Sequence, residues 1–410
     1  MREIALNKTD GPADRKPGTR LVGAGRKPEW TGAVVNPPVW RASTHLYEDT
    51  AALARGPRTN ADGHFFYGRR GAPTQWALAE ALTELEPGAA GTVLYPSGVS
   101  AIAGVMLALL RPGDVVLMTD NAYDPSRTMG KGLLADMGIT CRFFDPLDVE
   151  GYRALFCDRT RAVLLEAPGS LSFEVCDVPQ LARIAREHGA ISVLDNTWAG
   201  PLGFQGLQHG VEVVLMALTK HVGGHSDLMM GSATAGAELY ARLRQRSQQL
   251  GLMVSPDDAA LALRGLRTLE VRLLRETQSA LAIAHWLDAR PEVAQVLCPM
   301  LPGAPGHAQW AQDFTGGCGL FSFIFQGGDA AARNRFIDAL ALFGIGYSWG
   351  GFESLAVPAD PVPYRSVSPW PPVPGDPADR FGVRLSIGLE DPADLIADIE
   401  QALAAWAGAA

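Results

Sequence analysis

The sequence predicts an α/β protein, with a mostly parallel sheet in its larger domain and helices on both faces of that sheet. Short, uninterrupted apolar runs such as "RAVLLE", "ISVLD" and "VEVVLM" are typical of strands that are buried on both faces. Amphipathic stretches such as "VPQLARIAREHG" separate these runs, as expected of repeated strand–helix units. The chain has 410 residues, which is too long for one compact core, so a second domain is expected.

Three segments follow from these patterns in chain order. Residues 1–70 are rich in Gly, Pro and charge, and "VVNPPVW" within them is expected to be extended, because each proline restricts its own backbone and that of its predecessor. This segment is expected to lie as an arm on another surface. Residues 71–265 hold the strand–helix alternation. Residues 266–410 contain a long helical pattern, the strand-like "GLFSFIF" and a final helix, which predicts a smaller α+β C-terminal domain.

Bulk properties argue against several classes of protein. The net charge is −9 and no basic run is present, so a nucleic-acid partner is not expected. The segment Pro87–Leu110 has no charge, but "YPSG" interrupts it, and we interpret it as a strand (Gly91–Tyr95), a loop and a helix rather than a membrane span. The five cysteines contain no C-x-x-C pair, so neither a disulfide framework nor a zinc knuckle is indicated. A cytoplasmic protein with reduced thiols is expected.

Three groups are expected at the carboxyl ends of strands, where open parallel sheets bind ligands. In "PSGVS", Gly98 stands at a helix start whose N–H groups and dipole favour an anion such as phosphate, although a plain tight turn is the alternative. Asp195 ends "ISVLD" and needs a partner if it is buried; otherwise it is an N-cap or a solvated residue. Lys220 follows "VEVVLMAL" and one threonine, and in an apolar pocket its neutral amine would be nucleophilic, whereas a solvated lysine is the ordinary alternative. Together these are the parts that pyridoxal 5'-phosphate (PLP) requires.

A metal site is the competing hypothesis for "TKHVGGHSD". On a helix, His221 and His225 would share a face and, with Asp227, could chelate zinc as in a zinc hydrolase. However, Gly223 and Gly224 lie between the histidines, and each glycine lowers helix propensity by about 1 kcal/mol. The glutamate that zinc proteases place after the first histidine is also absent. The sequence therefore favours chemistry at the lysine, with no metal and with the histidines as structural neighbours.

Motifs along the chain resemble the Cys/Met-metabolism family of PLP-dependent enzymes, in its cystathionine β-lyase branch. The motifs are "YGRRG" (Tyr67–Gly71), "YPSGVSA", "NAYDPS" (Asn121–Ser126), "LDNTWA", "TKHVGGHSD", "GLRTLEVRL" (Gly265–Leu273), "SWGGFESL" (Ser348–Leu355) and "VRLSIGLED" (Val383–Asp391). They occur in order from about residue 18 to the end. The resemblance implies the PLP-dependent transferase fold, type I, and a homotetramer built from dimers that share active sites.

The resemblance also implies roles for single residues. Lys220 would bind PLP covalently and remove the Cα proton, Asp195 would face the pyridine nitrogen, and Tyr123 would stack on the ring and act in catalysis. The backbone N–H groups of Gly98 and Val99 would hold the phosphate.

Further contacts are implied for the remaining motif residues. The Thr219 hydroxyl would also hold the phosphate. Tyr67 and Arg69 would reach the phosphate of the neighbouring subunit, which would explain an N-terminal segment that does not fold alone. Arg384 would pair with the substrate carboxylate, since a guanidinium binds carboxylates through two hydrogen bonds. Its alternative is an ordinary surface ion pair.

Two positions bear on the type of reaction. Many relatives have serine three residues before the lysine, whereas this chain has Ala217, as bacterial β-lyases do. Tyr347 and Trp349 flank Ser348 in "YSWGG", and all three are expected at the substrate, where γ-acting relatives usually lack both aromatics. The expected reaction is β-elimination of L-cystathionine to L-homocysteine, pyruvate and ammonia, in methionine biosynthesis. A γ-lyase or sulfhydrylase, or a broader cysteine-S-conjugate β-lyase, is the alternative on the same fold.

Overall fold

A computed structural model describes residues 15–56, 63–360, 362–367 and 381–407. Its strands are β1 (Gly91–Tyr95), β2 (Val115–Thr119), β3 (Thr140–Phe144), β4 (Thr160–Glu166), β5 (Ile191–Asp195), β6 (Val213–Ala217), β7 (Gly231–Ala235), β8 (Val293–Leu297), β9 (Leu320–Phe325), β10 (Gly344–Ile345), β11 (Leu355–Ala359) and β12 (Gly382–Ser386). Its α-helices are α1 (Pro17–Gly23), α2 (Pro28–Thr31), α3 (Thr50–Arg55), α4 (Pro73–Leu85), α5 (Gly98–Leu109), α6 (Asp124–Lys131), α7 (Leu133–Asp136), α8 (Val149–Ala154), α9 (Val178–Glu187), α10 (Gly200–Gly203), α11 (Ala237–Leu250), α12 (Pro256–Leu266), α13 (Leu269–Asp288), α14 (His307–Asp313), α15 (Ala330–Ala339) and α16 (Pro392–Ala407).

The chain packs as two units. The first unit comprises the chain up to Ala108 together with Glu212–Glu270. The second comprises Leu109–Val211 together with the chain from Val271 onward. The predicted domains, 1–70, 71–265 and 266–410, follow the sequence patterns rather than this packing, and their boundaries stay a prediction.

The first unit contains β1, β7 and β6, with β7 between the other two and antiparallel to both. Strand β7 is made of small residues and is fully buried, which lets neighbouring backbone approach closely: a Cβ on Gly231 would lie 2.3 Å from the carbonyl oxygen of Ser97. Helix α4 packs on β1 and on α12, and α1 and α2 pack on α4. The N-terminal segment thus anchors itself through buried Leu21 and Trp30.

The second unit contains two sheets. In the first of them β5, β4, β2 and β3 follow in that order, and all are parallel. In the other, β11, β12, β9 and β8 pair antiparallel and β10 joins β11 in parallel, while α15 packs on α16 and on this sheet. The parallel strands, whose apolar runs are buried as predicted, confirm the α/β class.

Several sequence interpretations can be compared with the observed elements. The uncharged segment forms β1 and the twelve-residue helix α5, as predicted. The long helical pattern that begins the C-terminal part is two helices, α12 and α13, because Arg267 and Thr268 interrupt it. The N-terminal segment contains α1, α2 and α3, which its composition did not predict. None of the helices in the described ranges is both long and apolar enough to span a bilayer.

Candidate active site

The helix start after β1, in the first unit, is shaped to receive an anion. Ser97 precedes α5, and its side chain accepts a hydrogen bond from Ser100 N at 3.0 Å, which caps the helix. Helix geometry leaves the N–H groups of Gly98 and Val99 without an acceptor inside the helix. A side chain on Gly98 would place its Cβ 2.8 Å from the Cβ of Ala217, so the close approach of α5 to β6 requires glycine.

Lys220 lies in a turn directly after β6 and is half-buried. Its N–H donates to Ala217 O at 3.2 Å, and its carbonyl accepts from Gly224 N at 2.8 Å. The adjacent Thr219 is tied to Met230, because its Oγ1 accepts from Met230 N at 3.0 Å and donates to Met230 O at 3.1 Å. Since a hydroxyl has one hydrogen, donating to a phosphate would require Thr219 to release that carbonyl.

The histidine pair does not form the helical face that the competing metal-site hypothesis would require. Residues 218–226 form turns and bends rather than a helix. His221 is 5% exposed, whereas His225 lies at the surface with its Nδ1 2.8 Å from Gly223 O. Asp227 is exposed. Across the ranges that the structure describes, no three His, Cys, Asp or Glu side chains are grouped so that they could hold a metal ion.

Tyr67 and Arg69 lie together at a short 3-10 turn, Gly68–Arg70. The Arg69 guanidinium is 6.0 Å from the centre of the Tyr67 ring, and its Nη1 donates to Gln248 O at 3.0 Å. Both side chains are exposed, which suits residues expected to reach a neighbouring subunit. That role stays a prediction.

Two carboxylates end neighbouring strands of the second unit. Glu166 closes β4 and Asp195 closes β5, and they are register partners, so their side chains leave the same face of the sheet. The Oδ1 atom of Asp195 accepts hydrogen bonds from Thr197 N at 3.0 Å and from Thr197 Oγ1 at 2.5 Å. Burial, and next the charge of Asp195, raise the pKa of Glu166 well above its ordinary value. Hydrogen bonds of the kind that Asp195 receives stabilise the ionised form.

Tyr123 precedes α6 and is attached to this pair through its backbone. Its N–H donates to Glu166 Oε2 at 2.6 Å. The side chain keeps 44% of its surface exposed. Burial of the phenol, followed by the charges of Glu166 and Asp195, raises the pKa of Tyr123, whereas Arg384 acts in the opposite direction. The phenol therefore keeps its proton at neutral pH in this arrangement.

The loop that carries Tyr123 is anchored by a buried ionic network. Asp120 and Arg127 are almost fully buried, and Arg127 Nη1 lies 2.6 Å from Asp120 Oδ1. The same carboxylate accepts from Ser366 Oγ at 2.6 Å and from Val367 N at 2.9 Å. Burial alone would raise the pKa of Asp120, but these hydrogen bonds hold it well below its ordinary value.

Arg384 lies on β12, between β11 and β9. Its Nη2 donates to Ser348 O at 3.0 Å. Burial lowers the pKa of the guanidinium to about 10, so it remains charged at neutral pH. Ser348 has φ of 83°, a left-handed conformation that costs a non-glycine residue free energy and is concentrated at functional sites. Trp349 is half-buried, whereas Tyr347 is 92% exposed.

The structure brings the predicted residues together in two sets. In the first unit, Lys220 and Thr219 follow β6, whose last residue packs against Gly98. In the second unit, the charge of Asp195 raises the pKa of Tyr123 and the charge of Arg384 lowers it. The sequence reasoning missed Glu166, although "RAVLLE" ends in a carboxylate just as "ISVLD" does.

Each set, taken by itself, contains groups of the kinds that PLP requires. The start of α5 offers amide donors of the kind that bind a phosphate, and glycine keeps that turn compact. Lys220, directly after β6, has an amine of the kind that reacts with an aldehyde. Asp195, at the end of β5, has a carboxyl group that accepts two hydrogen bonds from Thr197, and a carboxylate is the kind of group that pairs with a protonated pyridine nitrogen.

Comparison with known proteins assigns the family. The model of the family described as Cys/Met metabolism PLP-dependent enzyme matches residues 18–404. The chain is 41% identical over 397 residues to a cystathionine β-lyase of Escherichia coli, covering 96% of this chain and 99% of the relative. It is 42% identical over 379 residues to a cystathionine β-lyase of Bordetella avium, covering 92% of this chain and 93% of the relative.

A solved structure supports the same assignment. It is a cystathionine γ-synthase from Xanthomonas oryzae pv. oryzae in complex with aminoacrylate and cysteine, and it superimposes with a TM-score of 0.87 at 32% identity, covering 98% of this chain and all of that one. The predicted fold, type I of the PLP-dependent enzymes, is thereby confirmed. With its family model matching nearly the whole chain, this protein belongs to the Cys/Met-metabolism family of PLP-dependent enzymes.

Proposed function

We propose that the protein catalyses the PLP-dependent β-elimination of L-cystathionine, which consumes one water and yields L-homocysteine, pyruvate and ammonia in methionine biosynthesis. The observation that carries the proposal is full-length similarity to proteins described as cystathionine β-lyases. Tyr347 and Trp349 lie on either side of Ser348 in the sequence, and their presence supports β-elimination rather than γ-elimination. When bound, PLP supplies an electron-withdrawing ring that delocalises the electron pair left at Cα after the proton is removed.

The cofactor is assigned to both sets of residues. Lys220 attaches it covalently, and the amides of Gly98 and Val99 bind its phosphate, with the Thr219 hydroxyl as a further ligand. Asp195 pairs with the pyridine nitrogen. The carboxylate keeps that nitrogen protonated because an adjacent negative charge favours the cationic form.

The second unit supplies the contact that holds the substrate. Arg384 pairs with the α-carboxylate, since it stays charged and its guanidinium can form two parallel hydrogen bonds. Ser348 O already orients this guanidinium from one side. Tyr347, Ser348 and Trp349 would contact the substrate.

Proton transfer is assigned to Lys220. With the cofactor bound, the Lys220 amine would remove the Cα proton, and Lys220 or a neighbouring group would protonate the leaving thiolate. Tyr123 would stack on the ring of the bound cofactor and lie near the reacting amine. Because its phenol keeps its proton, Tyr123 would act as a base only where added positive charge lowers its pKa.

The assembly proposed is a homotetramer of dimers that share active sites, in the cytoplasm. Apolar side chains of the N-terminal segment are exposed in the single chain, among them Val35 at 66%, Leu46 at 94% and Phe65 at 48%. A neighbouring subunit would cover them and would receive Tyr67 and Arg69. All five cysteines, each within the described ranges, are free, as suits a reducing compartment.

The proposed reaction is tested by incubating the protein with L-cystathionine and identifying both the thiol and the keto acid. Homocysteine with pyruvate is the expected pair. Cysteine with 2-oxobutyrate would identify γ-elimination instead. Parallel incubations with other cysteine S-conjugates measure how broad the β-lyase activity is.

The lysine is tested separately. Borohydride reduction of the loaded protein should fix the cofactor to the peptide that contains Lys220, as peptide mass analysis would show. Lys220→Ala should bind PLP reversibly and lose turnover by at least about a hundredfold, since it lacks the general base. A Lys220→Ala variant with nearly full activity would refute the assignment, and activity abolished by a chelator would favour a metal enzyme.

A further inference from the structure

Glu166 has no role in the proposed reaction, yet it contacts two residues that do. It ends β4 where Asp195 ends β5, and their backbones are register partners. Its Oε2 accepts the N–H of Tyr123 at 2.6 Å, the shortest of the backbone contacts described above for the candidate site. One carboxyl group therefore links the residue assigned to the ring nitrogen and the residue assigned to the ring face.

The surroundings of Glu166 and Asp195 indicate which of the two carboxyl groups carries a proton. Glu166 and Asp195 are half-buried, and two neighbouring carboxyl groups favour a state in which one of them keeps its proton. Asp195 receives two hydrogen bonds from Thr197, which favour its charged form. Glu166 accepts one hydrogen bond, from an uncharged amide, and its pKa is raised by burial and by Asp195. The hydrogen bonds to Asp195 and the raised pKa of Glu166 both favour the proton on Glu166.

The backbone of Tyr123 is held on two sides. Its carbonyl accepts hydrogen bonds from Ser126 N at 2.8 Å and Arg127 N at 3.3 Å, and its N–H donates to Glu166. Tyr123 is at the helix boundary, with extended backbone (φ −48°, ψ 131°) directly before the first turn of α6. Its side chain is 44% exposed. The direction of the ring therefore depends on where the backbone of Tyr123 is held, and Glu166 holds that backbone at its N–H.

We propose that Glu166 is a positioning residue: as a neutral acid it fixes the backbone of Tyr123, and thereby the ring of Tyr123, while leaving the negative charge of the pair on Asp195. This inference rests on the proposed function, in that it takes Tyr123 and Asp195 as cofactor contacts. It does not depend on which sulfur compound is the substrate.

The test uses three variants and the affinity for PLP, measured by titrating the cofactor-free protein and following tryptophan fluorescence. Glu166→Gln keeps the shape, the neutrality and an oxygen acceptor for Tyr123 N, so affinity should stay within about threefold of wild type. Glu166→Ala removes the acceptor and should weaken affinity about tenfold. Glu166→Asp keeps the acid but shortens it by one methylene group, and should resemble Glu166→Ala.

A double-mutant cycle with Tyr123→Ala separates positioning from a general structural effect. If Glu166 acts through the Tyr123 ring, Glu166→Ala should change PLP affinity little once that ring is gone. Additive losses in the double variant would overturn the positioning role. A loss in Glu166→Gln as large as in Glu166→Ala would overturn the neutral form.

Two further measurements distinguish a failure to fold, and a failure of the proposed function, from a failure of the positioning role. Thermal unfolding of each cofactor-free variant identifies any that fail to fold, and Glu166→Gln then carries the test. With L-cystathionine, or with whichever sulfur substrate proves to be cleaved, Glu166→Ala should lower kcat more than it raises KM, since Arg384 is untouched. If the protein cleaves a different substrate, the proposed function fails while the affinity cycle still decides the role of Glu166.

Discussion

The strand ends of the two units are built by different physical means. At the end of β6 the turn that carries Lys220 is held by backbone hydrogen bonds, and the approach of α5 depends on the missing side chain of Gly98. At the ends of β4 and β5 two carboxyl groups are register partners, and each accepts hydrogen bonds from the residues that follow a strand. The first arrangement is set by steric fit and the second by electrostatics.

The difference predicts which kinds of substitution each region tolerates. Adding a methyl group at Gly98 should harm the β6 region, because the close approach of α5 depends on steric fit. The loop of Tyr123 should instead respond to the loss of a charge, since Asp120 and Arg127 anchor it through charge. Separate measurements of stability and of cofactor affinity can test this difference between the two regions.

The largest effect on stability is expected from the buried pair behind Tyr123. Asp120→Ala leaves Arg127 buried without its carboxylate and should lower the free energy of unfolding by about 3–5 kcal/mol. Urea unfolding of the cofactor-free protein measures this. As a matched control, Glu187→Gln removes a carboxylate that pairs with Arg153 and Arg183 at the surface, and it should leave the urea midpoint unchanged.

The same pair should give the protein an acid-sensitive component of stability. The pKa of Asp120 is held below its ordinary value in the folded state, so its contribution is complete above the unfolded pKa of about 3.9 and is lost as pH falls toward the folded pKa. The difference in unfolding free energy between wild type and Asp120→Asn should therefore shrink from pH ~5 to pH ~3. A difference that stays constant over this range would show that charge does not anchor the loop.

A smaller effect is expected from steric crowding at the first strand end. Gly98→Ala places a methyl group 2.8 Å from the Ala217 side chain, which should displace the start of α5. The expected costs are about 1–3 kcal/mol of stability and about tenfold in PLP affinity. Adding Ala217→Gly removes the opposing methyl group and should recover most of both losses. If the double variant is no better than Gly98→Ala, steric contact is not the cause.

Local patterns in the sequence were sufficient to predict much of the fold and part of the candidate site. The apolar run "ISVLD" identified β5 to the residue, because a buried strand must be apolar and a polar side chain marks its end. The run "VEVVLM" located β6 but not its ends, since it spans Val211–Met216 and the strand is Val213–Ala217. Strand β7, "GSATA", escaped prediction because small residues have no strand signature. Its role is visible only once Gly231 is seen against Ser97 O.

Contacts between distant parts of the chain were beyond sequence reasoning. Asp120 and Ser366 are 246 positions apart, and nothing local in either segment indicates the other. Glu166 is a different case, because it ends an apolar run just as Asp195 does. The sequence does not show that the two strands are neighbours, so only the strand register places Glu166 beside Asp195.

The smallest expected effect concerns Thr219, which tests whether a hydroxyl in the sterically organised region also binds ligand. Thr219→Val keeps the shape but removes both side-chain hydrogen bonds to Met230, and should lower the unfolding free energy of the cofactor-free protein by about 1 kcal/mol. Thr219→Ser keeps the hydroxyl and should stay close to wild type. If the hydroxyl also binds the phosphate, Thr219→Val should weaken PLP affinity about tenfold, since hydrogen bonds to charged groups are the stronger kind. Unchanged affinity in Thr219→Val, together with the stability loss, would assign the hydroxyl to Met230 alone and leave the phosphate to the amides of α5.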